Sequence, residues 1–248
     1  MGSRTVQAAS FFARRNGPGI RSLRPPIRSG FRPDPPTPSK RKRAPTGIMT
    51  WEVFKLEKQY TFYGSFHQHQ YNKAIHVVFV WPILFTAFVL LAGIPASLPQ
   101  PGFIQSMPLH QYLQLNLALA SAANYAIYYI ILDQKLGLIA AAMSLACGVG
   151  ANAFVMNLGW SLAWKFAMAV QIISWGAQFL GHGVFEGKRP ALVDNLIQSI
   201  MMAPYFVLLE SVEPLFGYEP SPGFSQRVHA ALEAKNQAER EQRERLVS

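Results

Sequence analysis

Three of the six histidines in this 248-residue chain, His67, His69 and His76, fall within ten residues of the stretch YTFYGSFHQHQYNKAIHVVFV, residues 60–80. They stand where a polar segment passes into a long apolar one, and polar, metal-capable side chains at the mouth of a membrane helix are costly unless they serve a site. A second stretch of the same character, SWGAQFLGHGVFEGKRPAL (174–192), carries His182 and Glu186. On a helix turning about 100° per residue, His69 and His76 nearly superpose, so His69, Asn72 and His76 are expected on one polar face. His67 points elsewhere unless the helix starts only after it. Trp175, Gln178, His182 and Glu186 recur at three- and four-residue spacing, which lines up an amide, an imidazole and a carboxylate. Neutral imidazole suits iron, zinc or copper, and carboxylate suits harder ions. A histidine-rich site with a carboxylate nearby and open positions fits ferrous iron activating dioxygen.

Spacing alone neither names the metal nor separates a ligand from a group that orients one. Asn72 and Gln178 suit the orienting role. Tyr63 suits an interfacial anchor or the lining of a substrate entry. Lys188 and Arg189 suit a substrate carboxylate and, equally, suit enforcing membrane topology. One histidine at a membrane boundary is more often an interfacial hydrogen-bonding residue than a ligand. Four at one face, in register with Asn, Gln and Glu, favour a metal site over a non-enzymatic scaffold or lipid-binding protein.

The elements that must position these residues are apolar helices. Half of the residues are hydrophobic and 15% are charged, an unusual balance for a soluble domain. Residues 50–73 read as an amphipathic helical entry with Thr50 as N-cap and Glu52 in its first turn. Apolar segments follow at 74–94, 111–132, 136–158 and 161–181, each close to the ~20 residues that cross a bilayer as a helix. A fifth, 192–209, contains Asp194, Asn195, Gln198 and Pro204 and reads as a re-entrant or interfacial helix, or as a marginal span. The expected fold is thus an all-α integral membrane bundle of four to five transmembrane helices. Residues 50–215 form the helical domain, and the polar tail 216–248 reads as a solvated or frayed helix with His229 at its surface.

Charge supports a topology. The side from which the first span starts carries Lys55, Lys58, Lys73, Asp133, Lys135, Glu186, Lys188 and Arg189, whereas loops 95–110 and 158–161 carry no Lys, Arg, Asp or Glu. The positive-inside rule makes the charged side cytosolic, or its organellar equivalent. Four spans return the chain to that side at residue 182, so His67, His69, His76 and His182 share one membrane face and His110 does not. The formal charge of +10 resides in residues 1–50, which hold 11 Lys/Arg and one acid; the remainder is neutral. The high pI therefore implies no nucleic-acid partner for the main domain. Residues 1–49, with eight prolines and abundant Arg and Ser, read as a disordered basic extension, either a transit peptide or a plain tail. Cys147 is the single cysteine, which excludes an internal disulfide or a cysteine-rich metal cluster.

The segments FYGSFHQHQYNKAIHVVFVWPILF and WGAQFLGHGVFEGKRPALVDNL resemble the two signature blocks of the fungal 2-hydroxy fatty acid dioxygenase family. The blocks are H-x-H-x-x-N-K-x-I-H before an apolar span, and Q-F-x-G-H-x-x-F-E-x-x-x-P-A-L. The resemblance extends over roughly 50–215 and leaves out the basic extension and the polar tail. Members are endoplasmic-reticulum membrane enzymes that shorten 2-hydroxy fatty acids by one carbon in phytosphingosine breakdown. The resemblance implies ferrous iron, dioxygen and a 2-hydroxyacyl substrate that loses its carboxyl carbon while its chain stays in lipid. It places the ligating histidines on His67 or His69, His76 and His182, with Glu186 beside them as ligand or base. It also implies an endoplasmic-reticulum membrane location, unless the basic extension redirects the chain to a plastid or mitochondrion.

Overall fold

The computed structural model describes residues 54–95, 98–187 and 198–247. The basic extension, Thr50, Glu52, Lys188, Arg189, Asp194 and Asn195 lie outside the described residues. Among those described, every regular element is helical. In chain order the main helices are α1 (Leu56–Gly64), α2 (Gln70–Ala92), α3 (Leu117–Leu132), α4 (Leu136–Leu158), α5 (Trp160–Leu180), α6 (Ala203–Phe216) and α7 (Phe224–Val247). Two π-helical turns, Gly181–Glu186 and Gln198–Met202, extend the end of α5 and precede α6.

α2 is the hub, packing against α3, α4, α5, α6 and the first π turn. Its 23 residues are apolar enough to cross a bilayer, as are Leu136–Leu158 and Ser199–Phe216; these three helices suit a membrane protein. α5 is 21 residues long. The segment expected at 111–132 is shorter than anticipated: α3 has 16 residues, because His110–Tyr112 form a separate 3-10 turn. Asn116 then starts α3, its side chain accepting from Leu119 N at 3.1 Å and donating to Asn152 on α4 at 2.7 Å. Such pairing satisfies polar groups that the apolar surroundings cannot.

The expected continuous entry helix over 50–73 is corrected. α1 ends at Gly64, and α2 starts only at Gln70 with His69 as its extended N-cap residue. The break follows from an opportunity elsewhere in the fold. A restarting helix frees backbone N–H groups at its N-terminus, and here the Glu186 carboxylate takes up those of Gln68 and His69, each at 2.8 Å.

The tail is also more than a frayed end. Phe224 and Val228 of α7 are buried, Arg227 pairs with Glu57 at 2.7 Å, and Lys235 donates to Ser65 at 2.7 Å. α7 thus braces α1, while its later turns and His229 are exposed.

Tyrosines tie α6 and its π turn to α3. Tyr125 and Tyr129 donate to the carbonyls of Ile200 and Met201 at 3.1 and 3.0 Å, and Tyr205 donates to Asp133 at 2.7 Å. The last apolar segment therefore begins level with the middle of α3 and reaches its charged end within about one turn of α6.

α3 and α4 approach closely through small residues, as membrane helices do. A Cβ added at Gly137 would lie 2.1 Å from the Tyr129 carbonyl oxygen, whereas one added at Gly150 would meet only Phe85 at 3.5 Å. Gly137→Ala should lower stability by about 1–3 kcal/mol through overpacking, and Gly150→Ala should not. Parallel thermal melts in detergent check this, and equal melts would count against the close approach.

Candidate metal centre

The break between α1 and α2 puts His67 in the connecting loop, where His67 N donates to Gly64 O at 3.2 Å. His76 lies on the second turn of α2, and His182 on the first residues of the π turn after α5. All three are buried, and their ligand atoms lie within 4.8 Å of one another. The structure thus brings together His67, His76 and His182 and leaves His69 outside. The His69 imidazole accepts from Tyr71 N at 3.3 Å, capping α2, and its ring stacks on Phe185 at 5.1 Å. The expected single face of His69, Asn72 and His76 therefore holds only for Asn72 and His76, because the helix starts after His69.

Hydrogen bonds fix the chemistry of two of the rings. His67 Nδ1 lies 2.8 Å from Tyr63 O, and His76 Nδ1 lies 2.9 Å from Asn72 O. A carbonyl only accepts, so each Nδ1 carries the proton and each Nε2 presents a lone pair. Those two Nε2 atoms face one another at 3.0 Å. Opposed lone pairs at that distance repel unless a cation lies against both. A proton is a poor candidate, since burial, reinforced by His76, holds His67 well below the usual histidine range. Burial lowers His182 too, against the opposing effect of Glu186. His182 Nδ1 is buried without a partner. Three neutral imidazoles, two held by carbonyls and one unsatisfied, fit a borderline transition-metal ion.

Glu186 reaches the other side of the same loop. Besides the Gln68 and His69 amides, its Oε1 accepts from Asn72 Nδ2 at 3.1 Å. Among the described residues it is not part of the cluster that could hold a metal. It secures the segment between His67 and His76 to the π turn that carries His182. Asn72 is fully buried and also donates to Phe66 O at 3.3 Å. Gly181 passes against it, since a Cβ there would lie 2.5 Å from Asn72 Oδ1. Gln178 is buried one turn before His182, and its Nε2 has no partner.

Tyr63 stacks on the His67 ring with 3.9 Å between centroids and donates to Glu210 at 3.1 Å. Burial, then the Glu210 carboxylate, hold its phenol well above the ordinary tyrosine range, so it stays a donor. Glu210 also pairs with Lys73 at 2.9 Å. Sequence reasoning missed Glu210, although an acidic residue in an apolar helix is itself a signal.

A pocket opens below the histidines. Tyr63, His67, His76, His182 and Gln178 form its polar head, and apolar side chains of α2, α3, α5 and α6 form its walls.

Fold and site define a helical, membrane-type protein in which a buried trihistidine group able to hold a metal heads an apolar pocket. The family model described as "2-hydroxy-palmitic acid dioxygenase Mpo1-like" matches residues 53–214, and the chain belongs to that Mpo1-like family. The 2-hydroxy-palmitic acid dioxygenase MPO1 of Saccharomyces cerevisiae is 32% identical over 181 residues, covering 73% of this chain and 89% of the yeast protein. No solved structure matches.

Glu186→Ala removes an acceptor shared by two backbone amides and one side-chain amide. Hydrogen bonds to charged groups contribute about 1.5–3 kcal/mol, so faster hydrogen exchange is expected at Gln68 and His69 while the core of α4 keeps its protection. Unchanged exchange at those amides would count against this strut.

Proposed function

We propose that this chain is an iron-dependent dioxygenase that shortens 2-hydroxy fatty acids by one carbon, as a step of sphingoid-base catabolism. The observation that carries the reading is the facing pair of His67 and His76 lone pairs at 3.0 Å, with the unpartnered His182 beside them. Membership of the Mpo1-like family and the name of the yeast relative supply the reaction class. Ferrous iron, when bound, supplies the one-electron chemistry that allows dioxygen to react with a closed-shell acid.

His67, His76 and His182 would hold the iron, and Glu186 positions them through the loop it secures. His69 takes the capping role instead of a ligand's. The Gln178 amide, buried with a free donor, faces the substrate's carboxylate or 2-hydroxyl. Lys188 and Arg189, which follow the π turn in sequence, remain candidates for the same carboxylate. The apolar pocket takes the acyl chain and excludes water from the reacting end. The charge distribution favours the cytosolic face of the endoplasmic-reticulum membrane for this site, with the bilayer delivering the substrate.

The test pairs metal content with turnover of 2-hydroxypalmitate under air. Wild-type protein should carry stoichiometric iron and yield a C15 acid, while His76→Ala and His182→Ala should lose both. Full iron and full activity in the two variants would overturn the assignment. Gln178→Leu should keep its iron while KM for the 2-hydroxy acid rises roughly 10- to 100-fold, as loss of a hydrogen bond to a charged group implies.

A further inference from the structure

The residues that line the pocket can be followed along α2. Along α2 it is lined by His76, Val80, Ile83, Leu84 and Ala87, positions at three- and four-residue spacing that form one face of the helix. Ala87 is the residue furthest along α2 that lines it. Directly beside Ala87, Phe88 is fully buried and packs edge-on against Tyr125 at 5.7 Å. Tyr125 lines the same end of the pocket, and its hydroxyl is tethered to Ile200 O at 3.1 Å. The floor is therefore a held aromatic ring with one methyl group beside it, and that methyl is the smallest side chain on the lining face of α2.

Eleven residues separate His76 from Ala87, a rise of roughly 16 Å along the helix. An extended chain covers about 1.2 Å per bond, so this depth accepts roughly thirteen bonds beyond the reacting end. We propose that Ala87, backed by Tyr125, is the specificity-determining residue that sets the longest acyl chain the protein accepts. This rests on the reading of the pocket as an acyl site. A larger side chain at position 87 fills the far end of the pocket without touching the histidines.

The experiment uses the full chain in detergent and reads binding apart from turnover. Saturated, non-hydroxylated fatty acids of 10 to 20 carbons are titrated into wild type and Ala87→Phe, with thermal shift as the readout, and the matching 2-hydroxy acids are assayed in parallel. Ala87→Phe should move the optimum to shorter chains by roughly three to four carbons and weaken binding of the wild-type optimum about tenfold. Ala87→Leu, a smaller change that keeps the test usable if the phenylalanine variant does not fold, should move it by less in the same direction. An unchanged profile in either folded variant overturns the proposal. So does a profile that shifts only in Ile200→Trp. Phe179 and Ile200 line the pocket while 49% and 46% exposed, and that result would mean the chain leaves sideways between them. A shifted binding profile without turnover of any 2-hydroxy acid would support the length limit and overturn the dioxygenase reading.

Discussion

Two backbone carbonyls determine what this site can do. By accepting the Nδ1 protons of His67 and His76, the carbonyls of Tyr63 and Asn72 turn both Nε2 lone pairs toward one another at the buried head of the pocket. The lone pairs then meet at hydrogen-bond distance with no proton of their own to share. In water such an arrangement would relax by protonation. Here the burial that lowers His67 and His182 opposes it, so the site suits a ligand cation, and the three histidines could hold one. Each carbonyl lies four residues before its histidine, one at the end of α1 and one in the first turn of α2, so the tautomers are set locally and need no distant partner.

Bringing the three rings into one place is a different problem, because His67, His76 and His182 belong to three separate elements. Glu186 solves it from the outside. A carboxylate at the N-terminus of a helix is favoured by the free amides and by the helix dipole, and this one gathers two such amides and Asn72 at once. The π turn that presents it continues from α5 and carries His182 as well. Wider helical turns of this kind recur at functional sites, and here the turn serves both the ring that faces inward and the carboxylate that grips the loop. On the opposite side α7 braces α1 through Arg227 and Lys235, so the loop that holds His67 is fixed at both flanks.

The membrane-type composition explains the remaining polar contacts. In an apolar bundle an unsatisfied polar group costs several kcal/mol, and tyrosine hydroxyls satisfy the carbonyls of the second π turn and the Asp133 carboxylate. Against that background the unpartnered buried side-chain atoms among the described residues are local. Asn72 Oδ1, Ser174 Oγ, Gln178 Nε2 and His182 Nδ1 all belong to the first turn of α2 or to the end of α5 and the π turn that continues it. Among the described residues the polar deficit is concentrated beside the three histidines that could hold a metal.

Much of this was legible in the chain itself. Apolar segment lengths and the uncharged loops pointed to a helical bundle able to span a membrane, and counting spans put His67, His69, His76 and His182 on one side of it, where the structure gathers three of the four. Both follow from the bilayer, which restricts where charge can lie and how long a helix must be. Tertiary structure decided the rest. Residue spacing defines angular register only within a continuous helix, and nothing local said that α2 would start at Gln70. That start depends on a carboxylate 118 positions away from Gln68, and it is what brings His67, and not His69, beside His76 and His182. The same distant contact engages Glu186 with the loop between His67 and His76, beside the histidine cluster and outside it. Glu210, which holds Tyr63 against His67, entered from a helix whose packing the linear pattern did not encode.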